Sequence, residues 1–314
     1  LAGLTVMEQA SSGEVDEVRA WQPRSSALRH GAFEPSVASD LFVARDQQAP
    51  IAALLSAISD GLGKLRPPDL SRWGVAGRDK IPPRSEHPLR ALVDHLAAVF
   101  GVEEIDVYLH RKHELGIGVE NTSKPSLMIP LWAAELPRSQ QVFLISRALV
   151  GIARGVYPMD LFSPRELGIV LAAATRTTVP GFGDRLAPAD ILDEHAKLIA
   201  RGVPRRKRKA LEMAAEGYAR LRNVDVDMFV QWAQQTSRRI ALIVCDDLLA
   251  AVTVLRQVEA SPEQKGLALV RSSPVVADLL KVWVSRAAMS LRMRGGLLTN
   301  PNMQALSLQT PQPD

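Results

Sequence analysis

The 314-residue chain has a single cysteine, Cys245. An intrachain disulfide is therefore impossible, and a zinc site built on thiolates has nothing to draw on. Aromatic residues make up only 5% of the chain, and the Ala- and Leu-rich segments that take their place favour helix. No apolar run approaches the roughly 18–20 residues of a membrane span. The longest, at 240–244 and 248–255, are separated by Asp246 and Asp247. The first twenty residues lack a basic stretch followed by an apolar core, so they do not read as a secretory signal. The chain starts on Leu1 and not on Met, and it is expected to be part of a longer protein. The catalytic signatures H-E-x-x-H, G-x-S-x-G and the phosphate-cradling glycine loops are also missing. "GFGDRL" at 181–186 has two glycines but no preceding strand and no third glycine in place, and reads as a loop.

What is present describes an ordinary globular protein, 46% hydrophobic and 23% charged. A net charge of +4 is only mildly basic. It is compatible with an acidic partner but falls short of a dedicated nucleic-acid binder. With so little cysteine a reducing, cytoplasmic compartment is expected.

Along the chain, residues 1–49 read as a flexible arm or linker with one short helix near 14–21. "PIAALLSAISDGLGKL" (50–65) predicts a helix that starts on Pro50, and a proline-rich connection runs on to residue 87. From Pro88 the pattern firms. An amphipathic helix precedes three short β-rich runs at 105–110, 115–121 and 126–131, read as a small antiparallel sheet. "QVFLISRALVGIARG" (141–155) follows, apolar nearly all round and so expected to be buried. The remainder to 296 is helical. Its best-marked start is Ser163, Pro164 and Glu166, a capping box. Residues 224–259 read as one long helix or two, and 273–294 as one. Residues 297–314 read as a disordered tail. The fold class is thus α+β, predominantly helical, a small sheet followed by a helical bundle, and no internal repeat of fixed period is visible.

Several residues invite a chemical reading. His110, His113 and Glu114 stand together in "HRKHE", a spacing that can bind metal at a strand end and is the basis of a hydrolase alternative. The bland reading is a polar hairpin end. Asp246 and Asp247 sit within an apolar stretch and need partners if buried, with Arg238 and Arg239 as candidates. They staple helices more often than they catalyse. Cys245 lies in the same apolar segment and is expected to be inert. Arg205, Arg206, Lys207, Arg208 and Lys209 are consecutive cations at a predicted helix start. There they oppose the helix dipole unless neighbouring acids (Asp190, Asp193, Glu194) or an anionic partner offset them. A nucleic acid or an anionic surface is the partner class this run suggests. No aromatic residue interleaves with it, which argues against single-strand stacking.

The order of elements, helix, three strands, buried helix, helical remainder, resembles the core of the zincin metallopeptidases of the HtpX type. "SLMIPLWAAELP" is similar to the strand that leads into the family's metal helix. "FLISRALVGIARG" lies where the family has two apolar residues, Gly-His-Glu-Leu-Gly-His and an apolar residue. "RRIALIVCDDLLA" resembles the later helix that supplies the third ligand. Residue by residue, the histidine positions hold Arg147 and Gly151, the general-base position holds Ala148, and the third-ligand position holds Leu242. Zinc needs three protein ligands and an open position, and a guanidinium at 147 opposes a cation directly. The resemblance therefore implies a zincin-like domain over 88–296 that is no enzyme and has neither metal nor cofactor. It implies a protein-interaction or scaffold module with an unidentified protein partner. The family's habit of adding its substrate as an extra strand points to an edge near 126–131 as the docking place. Such a domain also looks like those appended to tetratricopeptide-type scaffolds.

Overall fold

A computed structural model describes residues 1–112, 116–122, 124–259 and 263–298. Two short helices, α1 (Ala2–Val6) and α2 (Ser12–Arg19), begin the chain, the second closed at its start by a Ser11/Glu14 capping box. Helix α3 (Arg45–Ile58) and the single turn α4 (Leu62–Leu65) follow. Helix α5 (Pro88–Val99) leads into β1 (Asp106–His110), β2 (Gly118–Asn121) and β3 (Pro125–Pro130). A turn of helix, α6 (Leu131–Ala134), then delivers the chain to α7 (Arg138–Ala153). Next come α8 (Pro164–Arg176), α9 (Ala189–Gly202) and α10 (Arg208–Ala219). The last five are α11 (Val226–Cys245), α12 (Leu248–Val258), α13 (Gly266–Ser272), α14 (Pro274–Trp283) and α15 (Arg286–Arg294).

The molecule is mostly helical with one small sheet, but the sheet is mixed and not antiparallel. Its order is β1-β3-β2, with β3 parallel to β1 and antiparallel to β2. The 126–131 run is therefore the centre of the sheet. Hydrophobic content marks a strand but not its neighbours, and a central strand buried on both faces shows it: Leu127 and Ile129 enter the main core while Met128 packs on the other face with Trp73, Val75 and Tyr108. The outer edge of β1 is partly covered, since Lys80 bridges Tyr108 and the Ile81 N–H donates to the Val107 carbonyl at 2.8 Å. At the other edge, β2 has no further strand beside it among the described residues.

Two hydrophobic cores share the long helix α11. The first gathers α5, one face of the sheet, α7, α12, α14 and the C-terminal half of α11. The second gathers α3, α8, α9 and α10 around Phe229 and Ala233 at the other end of α11. Helix α7 packs more extensively against α11 than any other pair of elements. Its run Val142, Phe143, Leu144, Ile145 and Ser146 is buried throughout, as expected of a helix with no polar face. Gly155, at φ +67°, lets the chain leave α7 where α3 crosses. A Cβ there would lie 2.6 Å from that of Ser56.

Residues 1–49 do not form an arm. Leu28, Phe33, Ala38 and Leu41 are buried in the first core. Backbone bonds from Gly31 and Phe33 to the end of α5 fasten the segment, as does Val43 N–H to the Thr236 hydroxyl at 3.0 Å. These anchors are isolated apolar residues in irregular chain, so no periodicity marks them. At its far end Arg154, buried after α7, donates to Gln48 Oε1 at 2.7 Å and lies over the Phe42 ring at 4.4 Å. Burial pulls its pKa down to about 10. Likewise α3 begins at Arg45 with Pro50 inside it, a position that leaves the Asp46 carbonyl without its intrahelical donor. The proline-rich connection covers the outer face of the sheet through Trp73 and Val75. Residue 297 of the predicted tail is also buried; the tail beyond 298 lies outside the described residues. No helix among the described residues is long and apolar enough to cross a membrane.

Candidate functional site

A cleft of about 370 Å³ opens between β2, the middle of α7 and the facing turn of α11. Chain leading into β2 (Gly116, Ile117) and its first residues (Gly118, Val119) form one wall. Arg147 and Ala148 form the floor, with Gln234 and Ser237 of α11 beside them. The turn at Tyr157–Asp160 and the end of α12 close the far side. The wall depends on Gly118: a Cβ there would lie 2.2 Å from Trp73 Cη2, so only glycine lets the indole lie flat against the strand. Trp73 is then fixed by a 2.9 Å hydrogen bond from its N–H to Glu120 Oε1.

The chemistry of the floor is a charge cluster. Arg147 Nη2 lies 2.8 Å from Glu259 Oε1, and Arg238 Nε donates to the same oxygen at 3.1 Å. One carboxylate thus serves two guanidiniums. Burial lowers the pKa of Arg147, and Glu259 opposes that shift. Asp160 is exposed to water at the cleft mouth, yet protein atoms crowd its carboxyl. This desolvation pushes its pKa up to about 6 against the opposing pull of Arg147.

Of the four positions singled out by the metallopeptidase resemblance, Arg147 and Ala148 reach this cleft. Gly151 is buried one turn on, and Leu242 is fully buried in α11. Among the described residues no group of three His, Cys, Asp or Glu is placed to hold a metal ion. His110 is not brought to the cleft. It is buried at the end of β1, its Nε2 3.3 Å from the Gly116 carbonyl and its ring 5.2 Å from that of Trp73. His113 and Glu114 lie outside the described residues.

The paired aspartates break the 224–259 segment into two helices. Asp246 ends α11 in the left-handed region at φ 55°, and Asp247 caps α12 by accepting from the Ala250 N–H at 2.9 Å. The partner of Asp246 is Arg292 of α15, at 2.5 Å, and not Arg238 or Arg239. Its carboxylate also accepts from the Arg24 N–H at 3.3 Å, and its carbonyl accepts from the Trp21 indole at 3.1 Å. It thus staples the N-terminal segment to the last helices. Arg239 instead pairs with Asp278. Cys245 is buried and its thiol is pushed well above the ordinary value by desolvation. The 273–294 stretch is likewise two helices, interrupted at Val284 and restarted by Ser285 as N-cap.

The basic run lies elsewhere. Arg205–Lys207 form a tight turn and Arg208 opens α10. Lys207 pairs with Asp60 at 2.8 Å. The acids expected to offset the run do not do so through ion pairs, since Asp193 is held by Arg176. Sequence reasoning missed Asp160, Glu259 and Trp73 as cleft residues. Each is a lone polar or aromatic residue whose position only the packing of α7, α12 and β2 reveals. No protein-family model, curated protein or solved structure matches the chain.

Proposed function

We propose that this chain is a non-catalytic protein-interaction module whose cleft takes an extended peptide segment along β2, on a frame similar to a zincin peptidase without its metal ligands. The observation that carries this reading is the edge strand β2, with no further strand beside it among the described residues, lying along a cleft floored by Arg147, Ala148, Gln234 and Ser237. An edge strand presents unpaired backbone N–H and C=O groups at alternate residues, and a peptide laid beside it pairs with them. The floor at the metal-helix position is an arginine held by Glu259. That arrangement suits a side-chain or backbone acceptor of a bound peptide and repels a metal cation.

The test is selection of peptides from a random display library on the full chain, followed by affinity measurement on the variants Gln234→Trp and Ala148→Trp. Both put bulk into the cleft, and Gln234 is the milder site because its side chain is only half-buried. The expected outcome is loss of binding by both with the thermal midpoint of Gln234→Trp retained. Peptides that bind both variants as they bind the parent chain overturn the reading, and so does stoichiometric zinc with metal-dependent peptide cleavage.

A further inference from the structure

A second cleft, of about 430 Å³, lies between the last turn of α9 and the first turns of α10, with the end of α8 as its third wall. On α9, Lys197, Ala200 and Arg201 fall at helical spacing on one face. On α10, Arg208, Leu211 and Glu212 do the same. The two faces border the cleft, and Thr178 lies at the end of α8. Within the cleft, Lys197, Arg201 and Arg208 stand against the single acid Glu212.

Among the described residues the three cations of this cleft make no ion pair. Lys197 only adds to the field around Asp193, whose main partner is Arg176. Among the described residues Arg201 and Arg208 make no ion pair or side-chain hydrogen bond, and neither do Arg205, Arg206 and Lys209 beside them. Their like charges crowd the positive end of α10, which costs stability in the empty protein. Apolar residues Ala200, Val203 and Leu211 line the rest of the cleft. No aromatic ring is present for a base to stack on.

We propose that this cleft binds a phosphate monoester, with the guanidiniums of Arg201 and Arg208 and the ammonium of Lys197 on the phosphoryl oxygens and the Thr178 hydroxyl as a further donor. A concave site lined by three cations suits a terminal dianion. A phosphodiester backbone carries one charge per phosphate and is met more naturally by a long exposed row. The ester belongs to a small metabolite or to a phosphorylated side chain, and the chemistry recognised is the same. This site shares no lining residue with the β2 cleft, so each reading stands or falls separately.

The experiment is calorimetric titration of the full chain with phenyl phosphate, a phosphoserine peptide and a short DNA duplex. The variants are Arg201→Gln/Arg208→Gln, inside the cleft, and Arg205→Gln/Arg206→Gln, outside it. All four residues are exposed, so the fold is expected to persist, and circular dichroism checks that. Phenyl phosphate is expected to bind the parent chain and to lose at least about tenfold in affinity in the cleft variant, with about twofold or less lost in the outer one. Tighter binding of the phosphoserine peptide than of phenyl phosphate assigns the ester to a protein; equal or weaker binding assigns it to a small molecule. Absence of phenyl phosphate binding, or equal losses in the two variants, overturns the proposal. Preferential binding of the duplex that falls steeply between about 50 and about 200 mM salt also overturns it, in favour of backbone binding by the outer row.

Discussion

The two clefts are of comparable size and both are lined by arginine, yet they treat charge in opposite ways. Beside β2, Arg147 and Arg238 share the carboxylate of Glu259. Between α9 and α10, Arg201 and Arg208 line the cleft with no carboxylate bonded to them among the described residues. A buried or half-buried cation satisfied within the fold becomes part of the scaffold, and what such a cleft offers a ligand is shape and strand edge. An exposed cation without an ion pair is solvated by water and stays available to a ligand. The contrast accords with the two proposals, backbone recognition at the first cleft and anion recognition at the second.

The most direct way to break the contrast is Glu259→Ala. Removing the carboxylate leaves Arg147 and Arg238 close together and uncompensated. Breaking a well-buried pair costs several kcal/mol, and the water reaching this cleft reduces that here to about 2–3 kcal/mol. Urea denaturation at neutral pH should show that loss. The same variant should bind phenyl phosphate at the first cleft as well, with a second equivalent in the titration. Unchanged stability means that Glu259 is not what neutralises the floor, and the distinction between the clefts then has no electrostatic basis.

Asp160 sharpens the comparison from the acid side. Its folded pKa, about 6, lies above the ordinary carboxylate value, so the folded state holds its proton more tightly than the unfolded chain. Stability is therefore greatest below the unfolded pKa and falls as pH rises through about 4 to about 6. Asp160→Asn removes the charge that the cleft disfavours. Because the residue as a whole is exposed, the gain is discounted to about 1 kcal/mol at neutral pH, closing towards zero near pH 4. Parallel stability curves for parent and variant across that window contradict a perturbed Asp160.

How much of this was legible beforehand follows from what patterns can carry. The buried α7 and the capping box at Ser163 and Glu166 are local signals, written in hydrophobic spacing and cap chemistry. The strand positions were legible for the same reason, but their order was not. That β3 lies between β1 and β2 is decided by pairing across the chain, which displaced the docking edge from 126–131 to β2. Residues 1–49 were misread because their anchors, Leu28, Phe33 and Leu41, follow no period. Of the sites, the run 205–209 stands out in the sequence by its density. Its nearest cleft takes only Arg208 from the run and adds Lys197 and Arg201 of α9, which only the arrangement of the helices brings to it. Arg147 was noticed through a resemblance, whereas its partner Glu259 is more than a hundred residues distant and carries no local mark.

The smallest effect tests whether the second cleft really holds its cations at a cost. Lys209 is exposed at the second position of α10, where a positive charge opposes the helix dipole and a negative one favours it. Lys209→Glu should therefore stabilise the protein, by about 0.5 kcal/mol at low salt. Its neighbours Arg205, Arg206 and Arg208 add to the gain, since each loses a like-charged neighbour. Near about 1 M salt the screening length shrinks to about 3 Å, and the gain should disappear. Phosphate affinity should move the other way, falling modestly, because Lys209 contributes to the field around the cleft without lining it. A substitution that raises stability and lowers ligand affinity together is the behaviour expected of charge kept for binding. If Lys209→Glu is neutral in both measurements, the run is a solvated surface, and the α9/α10 cleft has only its own three cations to recommend it.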